Sequence, residues 1–409
     1  MKVLLLHQNF PGQFRYLARS LASDSACEVR AVGLDSAPGL PGVPLLRYRP
    51  TRAPARQAHG YLRTLENAVL HGQQVARLLL QQRRKGYRPD VILAHPGWGE
   101  TLFVKDVFPD VPLIHFCEFY YQHQGADAGF DPEFPSTLDD SARLRLRNTL
   151  HLLNLEQCDL GVTPTHWQHS LHPEAYRGKI RIAHEGVPVD ELRPDPQASL
   201  VLPCGRQLRA GQPVVTYVAR NLEPYRGFHS FMRSLPAILA ANPHAQVLVV
   251  GGDGCSYGAP PQDAANWRSK LLDEVSPDPE RVHFLGKVPY ATYRRVLQVS
   301  AAHVYLTYPF VLSWSLLEAM ASGCLVVGSD TAPVREVIED ERNGYLVDFF
   351  CAQAIAERVL AALEQPVSQQ QLLRDAARLT AQRYSVTAGL EAYRQLLADA
   401  LEGRAVAAR

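Results

Sequence analysis

The chain has 409 residues, a length that predicts two to three domains at roughly 150 residues each. It is 46% hydrophobic and 20% charged, so it can bury a large core and is not disordered by composition. Its 42 basic and 41 acidic residues leave a net charge of +1, which argues against nucleic acid as an obligate partner, because polyanion binders carry a marked basic excess.

The opening MKVLLLHQNF has too short an apolar run for a signal-peptide core and predicts a first strand ending before His7, Gln8 and Asn9. Strand-like EVRAVGL (28–34), VILAH (91–95) and PLIHF (112–116) follow, alternating with the helix-like FRYLARSLAS (14–23) and a long segment from about 58 to 85. This βαβ rhythm predicts a mostly parallel sheet with helices on both faces. The Pro- and Gly-dense 189–213 has no period and predicts a linker at 196–212 between an N-terminal domain, 1–195, and a C-terminal domain, 213–385. A second strand series runs through VVTYVA (214–219), AQVLVVGG (245–252), RVHFLG (281–286), HVYLTY (303–308), CLVVGS (324–329) and YLVDFF (345–350). A final helix within 386–409 is expected to pack on either domain, with the N-terminal one favoured. Seven scattered cysteines without a Cys-x-x-Cys pair argue against a zinc site or a disulfide framework and fit reduced thiols in a cytosol. No run approaches 18 apolar residues, so no membrane span is expected.

In such sheets ligands bind at the carboxyl ends of the strands. NFPGQF (9–14) puts Gly12 between the first strand and a helix, where backbone can approach an anion. GGDGCSYG (251–258) resembles a dinucleotide loop, but its spacing is G-x-G-x-x-x-G, which argues against a dehydrogenase. Arg220 and Arg226 stand six apart in a strand-to-helix loop and suit a diphosphate; two solvated arginines are the plainer alternative. His115 and His95 are expected at strand ends, as hydrogen-bond partners of a ligand or as satisfied core histidines, with Glu100 near His95. Ser315 and Glu318 fit a capping box, with Ser315 as N-cap. Asp139 and Asp140 precede a predicted helix and read as capping residues. The basic runs at 47–56, 81–88 and 143–147 read as solvated faces or, alternatively, as contacts to an anionic acceptor or a membrane surface. The long aromatic loop 116–135, with Glu118 and Tyr120, is the expected acceptor side.

Several phrases occur in order: HEGVPVDELRP, the Arg220–Arg226–Gly227 loop, LVVGGDG, VHFLGKVPYATYRRVL and LLEAMASGCLVVGSDTAPVREVIEDERNGYLV. Together they resemble the family-four retaining glycosyltransferases. The resemblance implies an α/β chain of GT-B fold, two Rossmann-like doubly wound domains facing a central cleft. It also implies transfer of a sugar from a nucleoside-diphosphate sugar with retained anomeric configuration, without a metal or other cofactor. Residue by residue, it implies that Gly12 lies near the diphosphate, His115 near the donor sugar and Arg220 on the phosphates. Arg226 stands where lysine is more usual. Gly252 belongs to the matched LVVGGDG phrase, and the backbone of Val288 falls where the nucleobase is met. Ser313, Trp314, Ser315 and Leu316 match the loop and helix start beside the diphosphate, with Ser313 replacing a common glycine, and Glu318 matches the acid on the ribose. The chain departs from the pattern at Phe310, which replaces the first acid of the Glu-seven-residues-Glu signature and offers the sugar an apolar face.

The expected partners are a nucleoside-diphosphate sugar and an unidentified acceptor, in a cytoplasmic protein that touches the inner membrane face at most peripherally. Two other functions fit the same architecture: a sugar-nucleotide epimerase or phosphorylase, and a silent nucleotide-sugar-binding protein.

Overall fold

A computed structural model of the chain describes residues 1–407 and side chains through Glu402. It divides into two compact units, Met1–Gly186 with the C-terminal helix Val386–Ala407, and Val187–Ser385.

The N-terminal unit is built on β1 (Lys2–Leu6), β2 (Glu28–Leu34), β3 (Leu45–Tyr48), β4 (Val91–Ala94), β5 (Leu113–Phe116), β6 (Leu160–Thr163) and β7 (Ile180–Ile182). They form one parallel sheet in the order β3-β2-β1-β4-β5-β6-β7. Side chains alternate across a strand, and β1 shows both results. Val3 and Leu5 pack with Leu17 and Leu21 of the helix Arg15–Ala22 and with Tyr393, Leu396 and Leu397 of the C-terminal helix. Leu4 and Leu6 pack on the other face with Val75 and Leu79 of the helix Arg63–Arg84. Burial on both faces explains why these strands read as continuous apolar runs. The order reverses direction between β1 and β4, and a crevice at such a switch point is where doubly wound sheets take ligands.

The C-terminal unit opens differently from expectation. The predicted linker 196–212 contains an antiparallel hairpin, β8 (Ser199–Val201) and β9 (Gln207–Arg209), closed by the backbone bonds Gly205 N–H to Leu202 C=O and Leu202 N–H to Arg206 C=O. Leu200, Leu202 and Leu208 are buried with Val214, Leu248 and Val296. The stretch is therefore part of this unit, and the unit boundary falls at Gly186/Val187. The main sheet comprises β10 (Val214–Asn221), β11 (Gln246–Gly252), β12 (Val282–Gly286), β13 (Ala302–Tyr305), β14 (Val326–Ser329) and β15 (Tyr345–Val347). It is parallel, in the order β12-β11-β10-β13-β14-β15, with its switch point between β10 and β13.

Candidate active site

In the C-terminal unit the residues converge at the switch point. Arg220 lies near the carboxyl end of β10, exposed, with no hydrogen bond or ion pair to the described residues. Arg226, in the turn after β10, is only 8% exposed. Its Nη1 donates to Thr307 Oγ1 at 2.8 Å and to the Val311 carbonyl at 3.2 Å, both beyond β13. No carboxylate forms an ion pair with it among the described residues. A buried guanidinium stays charged, and satisfying it with neutral acceptors leaves its desolvation cost largely uncompensated. Tyr305 Oη links this cation to the next helix: it lies 3.5 Å from Arg226 Nη1 and accepts from the Ser313 backbone N–H at 3.0 Å.

That helix runs Trp314–Ala321. Its N-cap is Ser313, whose Oγ accepts from Ser315 N–H, and not the expected Ser315. The helix begins before the predicted cap, so Glu318 is out of reach of a capping box. Its carboxylate instead accepts from Tyr290 Oη at 3.1 Å and Tyr293 Oη at 2.7 Å. Trp314 is exposed at the helix start, Leu316 is buried, and Val288, just after β12, is half-buried against two core clusters.

Phe310 does not offer an open face. It is 5% exposed and packs edge-on against Tyr257, at 4.9 Å between ring centres, and Tyr225, at 5.7 Å, with the Arg226 guanidinium 6.0 Å from its ring. The loop carrying Tyr257 is held by Glu223, a residue passed over in the sequence. This buried carboxylate accepts the backbone N–H groups of Ser256, Tyr257 and Gly258 at 2.9–3.1 Å. An acid just before Pro in a strand-to-helix loop was the available signal. Gly252 ends β11; a Cβ there would lie 2.5 Å from Lys287 Cε and 2.7 Å from Asn221 Oδ1, so its lack of a side chain admits a third cation to these strand ends.

In the N-terminal unit the switch point carries a polar array. His7 follows β1, Gln13 lies in the turn Gly12–Phe14, His95 follows β4 and Glu118 follows β5. His7 Nε2 is 2.7 Å from Gln13 Oε1, Gln13 Nε2 donates to Glu118 Oε1 at 2.9 Å, and His95 Nε2 is 3.3 Å from Glu118 Oε2. Burial, with the nearby His95, lowers the His7 pKa to about 3. Burial pushes the Glu118 carboxyl up, but the hydrogen bonds from His95 and Gln13 and the attraction of the two imidazoles outweigh it and hold the group below the usual range. Gly12 has φ +46°, and a Cβ on it would lie 2.2 Å from His7 Nε2; only glycine fits over this imidazole. Trp98 stacks on His95 at 4.3 Å. His7 and Gln13 were not singled out in the sequence; polar residues directly beyond an apolar strand were the signal.

Two expectations for this unit change. His115 lies within β5, 1% exposed, with no hydrogen-bond partner for either ring nitrogen among the described residues, and burial lowers its pKa to about 3. It is a core residue, unlike Glu118 three positions on. Glu100 is 0% exposed and accepts the Tyr48 hydroxyl, which also lies 2.9 Å from His71 Nδ1, so its carboxylate is held in the interior of the unit. Tyr120 is half-buried, its ring 6.0 Å from His172 and 6.5 Å from His151. Asp140 completes a capping box with Thr137 at the start of the helix Leu138–Gln157, and Arg147 of the basic run lies over the Tyr121 ring.

Comparison with known proteins finds glycosyltransferase relatives for both units. Residues 25–192 match the model of the glycosyl transferase family 4 group, and 212–365 that of the glycosyl transferases group 1. The phosphatidyl-myo-inositol mannosyltransferase of Mycobacterium leprae is 29% identical over 51% of this chain and 48% of its own length. The D-inositol 3-phosphate glycosyltransferase of Streptomyces avermitilis is 27% identical over 51% and 44% respectively. The chain thus matches about half the length of these curated relatives. Two solved structures share the fold over 98% of this chain and 100% of theirs, each with a TM-score of 0.68: Anabaena HepE in complex with UDP and glucose, 16% identical, and the sucrose-phosphate synthase of Thermosynechococcus elongatus, 17% identical. Matched in both halves and sharing the whole fold, this chain is a member of the GT-B-fold glycosyltransferases related to the family-four nucleotide-sugar transferases.

Proposed function

We propose that the chain transfers a sugar from a nucleoside-diphosphate sugar to a hydroxyl-bearing acceptor, with retained anomeric configuration. The observation that carries this reading is Arg226, a buried cation without a counter-ion among the described residues, joined through Tyr305 to the start of the helix Trp314–Ala321 and accompanied by the exposed Arg220. A diphosphate supplies the missing negative charge. In the reaction the bond from the anomeric carbon to the phosphate oxygen breaks, with its electrons leaving on the diphosphate. The acceptor oxygen bonds to the same face of that carbon, and its proton passes to the departing phosphate. Arg220, Arg226 and the N–H groups at the helix start meet the charge as it grows, and losing one such donor costs roughly 3–4 kcal/mol of barrier. The cations of the chain do this work in the reading, which assigns no step to a metal. Glu318, oriented by Tyr290 and Tyr293, is assigned to the ribose hydroxyls, and the backbone of Val288 to the base.

The relatives support the reading by what their names state: an inositol-bearing acceptor in two of them, and UDP bound in HepE. We assign the acceptor to the N-terminal unit and infer a polyol or sugar, free or lipid-linked. All seven cysteines are free, which fits a cytoplasmic protein. No helix of the described residues is long and apolar enough to cross a membrane, and contact with a lipid-linked acceptor is inferred to be peripheral.

The test is a thermal-shift screen against UDP-, GDP-, ADP- and dTDP-sugars, followed by product analysis with the donor that binds. One nucleotide class should stabilise the protein and yield a glycoside of retained configuration. Stabilisation by none of them would remove the donor assignment. A released sugar phosphate or an epimerised nucleotide sugar would replace the transferase by a phosphorylase or an epimerase.

A further inference from the structure

The array at the N-terminal switch point has a fixed proton direction, and two backbone amides set it. The Asn9 N–H donates to His7 Nδ1 at 3.0 Å, so the neutral ring carries its proton on Nε2. The Gly97 N–H donates to His95 Nδ1 at 3.1 Å, with the same result. His7 Nε2–H then donates to Gln13 Oε1, which turns the Gln13 amide nitrogen toward Glu118 Oε1. His95 Nε2–H donates to Glu118 Oε2. Both carboxylate oxygens therefore receive an N–H, and neither has a partner in this array that accepts a proton. Such an environment favours the ionised acid. The Glu118 side chain is nevertheless 38% exposed, whereas His95 beneath it is 4% exposed. A carboxylate with two oxygens offers about four acceptor positions, and the array uses one on each oxygen. The half-exposed indole of Trp98, stacked on His95, supplies an apolar face beside it. A fixed hydrogen-bond acceptor next to an aromatic plane suits a polyhydroxylated ring, which has hydroxyl donors at its edge and C–H groups on its face.

We propose that Glu118 is the ligand-facing carboxylate of the N-terminal unit, that it accepts a hydrogen bond from a hydroxyl of a polyol or sugar, and that His7, Gln13 and His95 are its positioning residues. The proposal rests on the transferase reading only for the statement that this polyol is the acceptor. Gly12 belongs to the same device, because any side chain there would displace His7.

The test is saturation-transfer NMR on the full chain with two sets of probes: UDP, GDP, ADP and dTDP for the C-terminal unit, and myo-inositol and methyl α-mannoside for Glu118. Wild type should give a signal with at least one polyol. Glu118→Gln, which replaces one of the two accepting oxygens by an NH2 donor, should reduce that signal at least fivefold while nucleotide signals stay within twofold. Gln13→Leu leaves the carboxylate but removes one of its donors, and should reduce the polyol signal about threefold with the same sparing of nucleotide. A merely structural role would lower both probe sets together. Polyol signals unchanged in Glu118→Gln, or absent from wild type, overturn the proposal. Absent nucleotide signals with intact polyol signals overturn the donor assignment and leave Glu118 supported.

Discussion

Replacing Arg226 by Met separates stability from ligand binding. Two opposing terms act on the unliganded protein. Removing a buried, unpaired cation relieves its desolvation, a term of several kcal/mol in real proteins. Losing its bonds to Thr307 Oγ1 and the Val311 carbonyl removes two charge-assisted contacts of about 1.5–3 kcal/mol each. Met fills similar space along the Tyr257 and Phe310 rings. Unfolding free energy should therefore stay within about 1 kcal/mol of wild type or rise. Nucleotide binding should fall by the worth of a directed cation, roughly 3–4 kcal/mol by analogy with a preorganised donor, or about 10²–10³-fold. A nucleoside diphosphate at 100 times its wild-type Kd stabilises wild type by about 2.7 kcal/mol, and the variant by only ~0.2 kcal/mol. For a unit of this size that is a rise in Tm of about 5–10 °C against less than about 1 °C. Differential scanning fluorimetry with and without nucleotide measures both numbers. A variant that keeps the wild-type rise refutes the assignment of Arg226 to the phosphates. A variant that unfolds several kcal/mol more easily refutes the idea that its charge is uncompensated.

His115→Leu should leave transfer activity unchanged and stability equal or up to about 1 kcal/mol higher, because it removes a buried ring without hydrogen bonds; a selective loss of kcat would return a ligand role to this residue. Tyr48→Phe should destabilise the N-terminal unit by about 1–3 kcal/mol, since Glu100 loses the hydroxyl it accepts inside the core; unchanged denaturant midpoints would contradict this. Acid should destabilise the N-terminal unit more than the C-terminal unit. His7, His115 and His151 have pKa values lowered to about 3, and His172 to about 4, in the former, against His303, at about 4, and His283, lowered by its partial burial, in the latter. Below about pH 6.5 the unfolded chain takes up protons that these folded rings refuse, so stability is full above that pH and falls toward pH 3–4, by at most about 1.4 kcal/mol per pH unit and group. Hydrogen exchange at pH 7, 5 and 4 should show protection lost first around β1 and β5; equal loss in both units would refute the attribution.

The fold was legible because its strands are buried on both faces. VLLL and VILA announce themselves as continuous apolar runs, and the positions of Arg220 and Gly12 follow from the strand ends they flank. The hairpin β8–β9 was hidden by Pro203 and Gly205, which read as loop residues, and by the apolar but exposed Val201 between the buried Leu200 and Leu202, which masks the alternation that Leu208 shows between Gln207 and Arg209. The Ser313 cap was missed because a serine two residues on makes an equally good sequence pattern, and only the backbone decides where a helix begins. His115 and Glu118 differ by three positions. One lies within β5 and the other beyond it, and a strand-to-loop boundary is not resolved that finely by apolar periodicity.

Phe310 gains its meaning from the same comparison of neighbours. From sequence it is an acid lost from a sugar site. In the fold it is one side of an aromatic wall, with Tyr225 and Tyr257, along the buried Arg226. An acid in this place would stand close enough to the guanidinium to pair with it, at an effective interior dielectric where such a pair is strong. The aromatic ring attracts the cation only weakly and competes little with a diphosphate. The substitution thus leaves Arg226 unneutralised, and the cost of holding a buried charge is offset when an anionic ligand arrives. The N-terminal unit has the complementary chemistry, since Glu118 is surrounded by donors and keeps exposed acceptor positions. One unit thus lacks an anion and the other a hydroxyl, the two groups that a nucleoside-diphosphate sugar and a polyol acceptor bring.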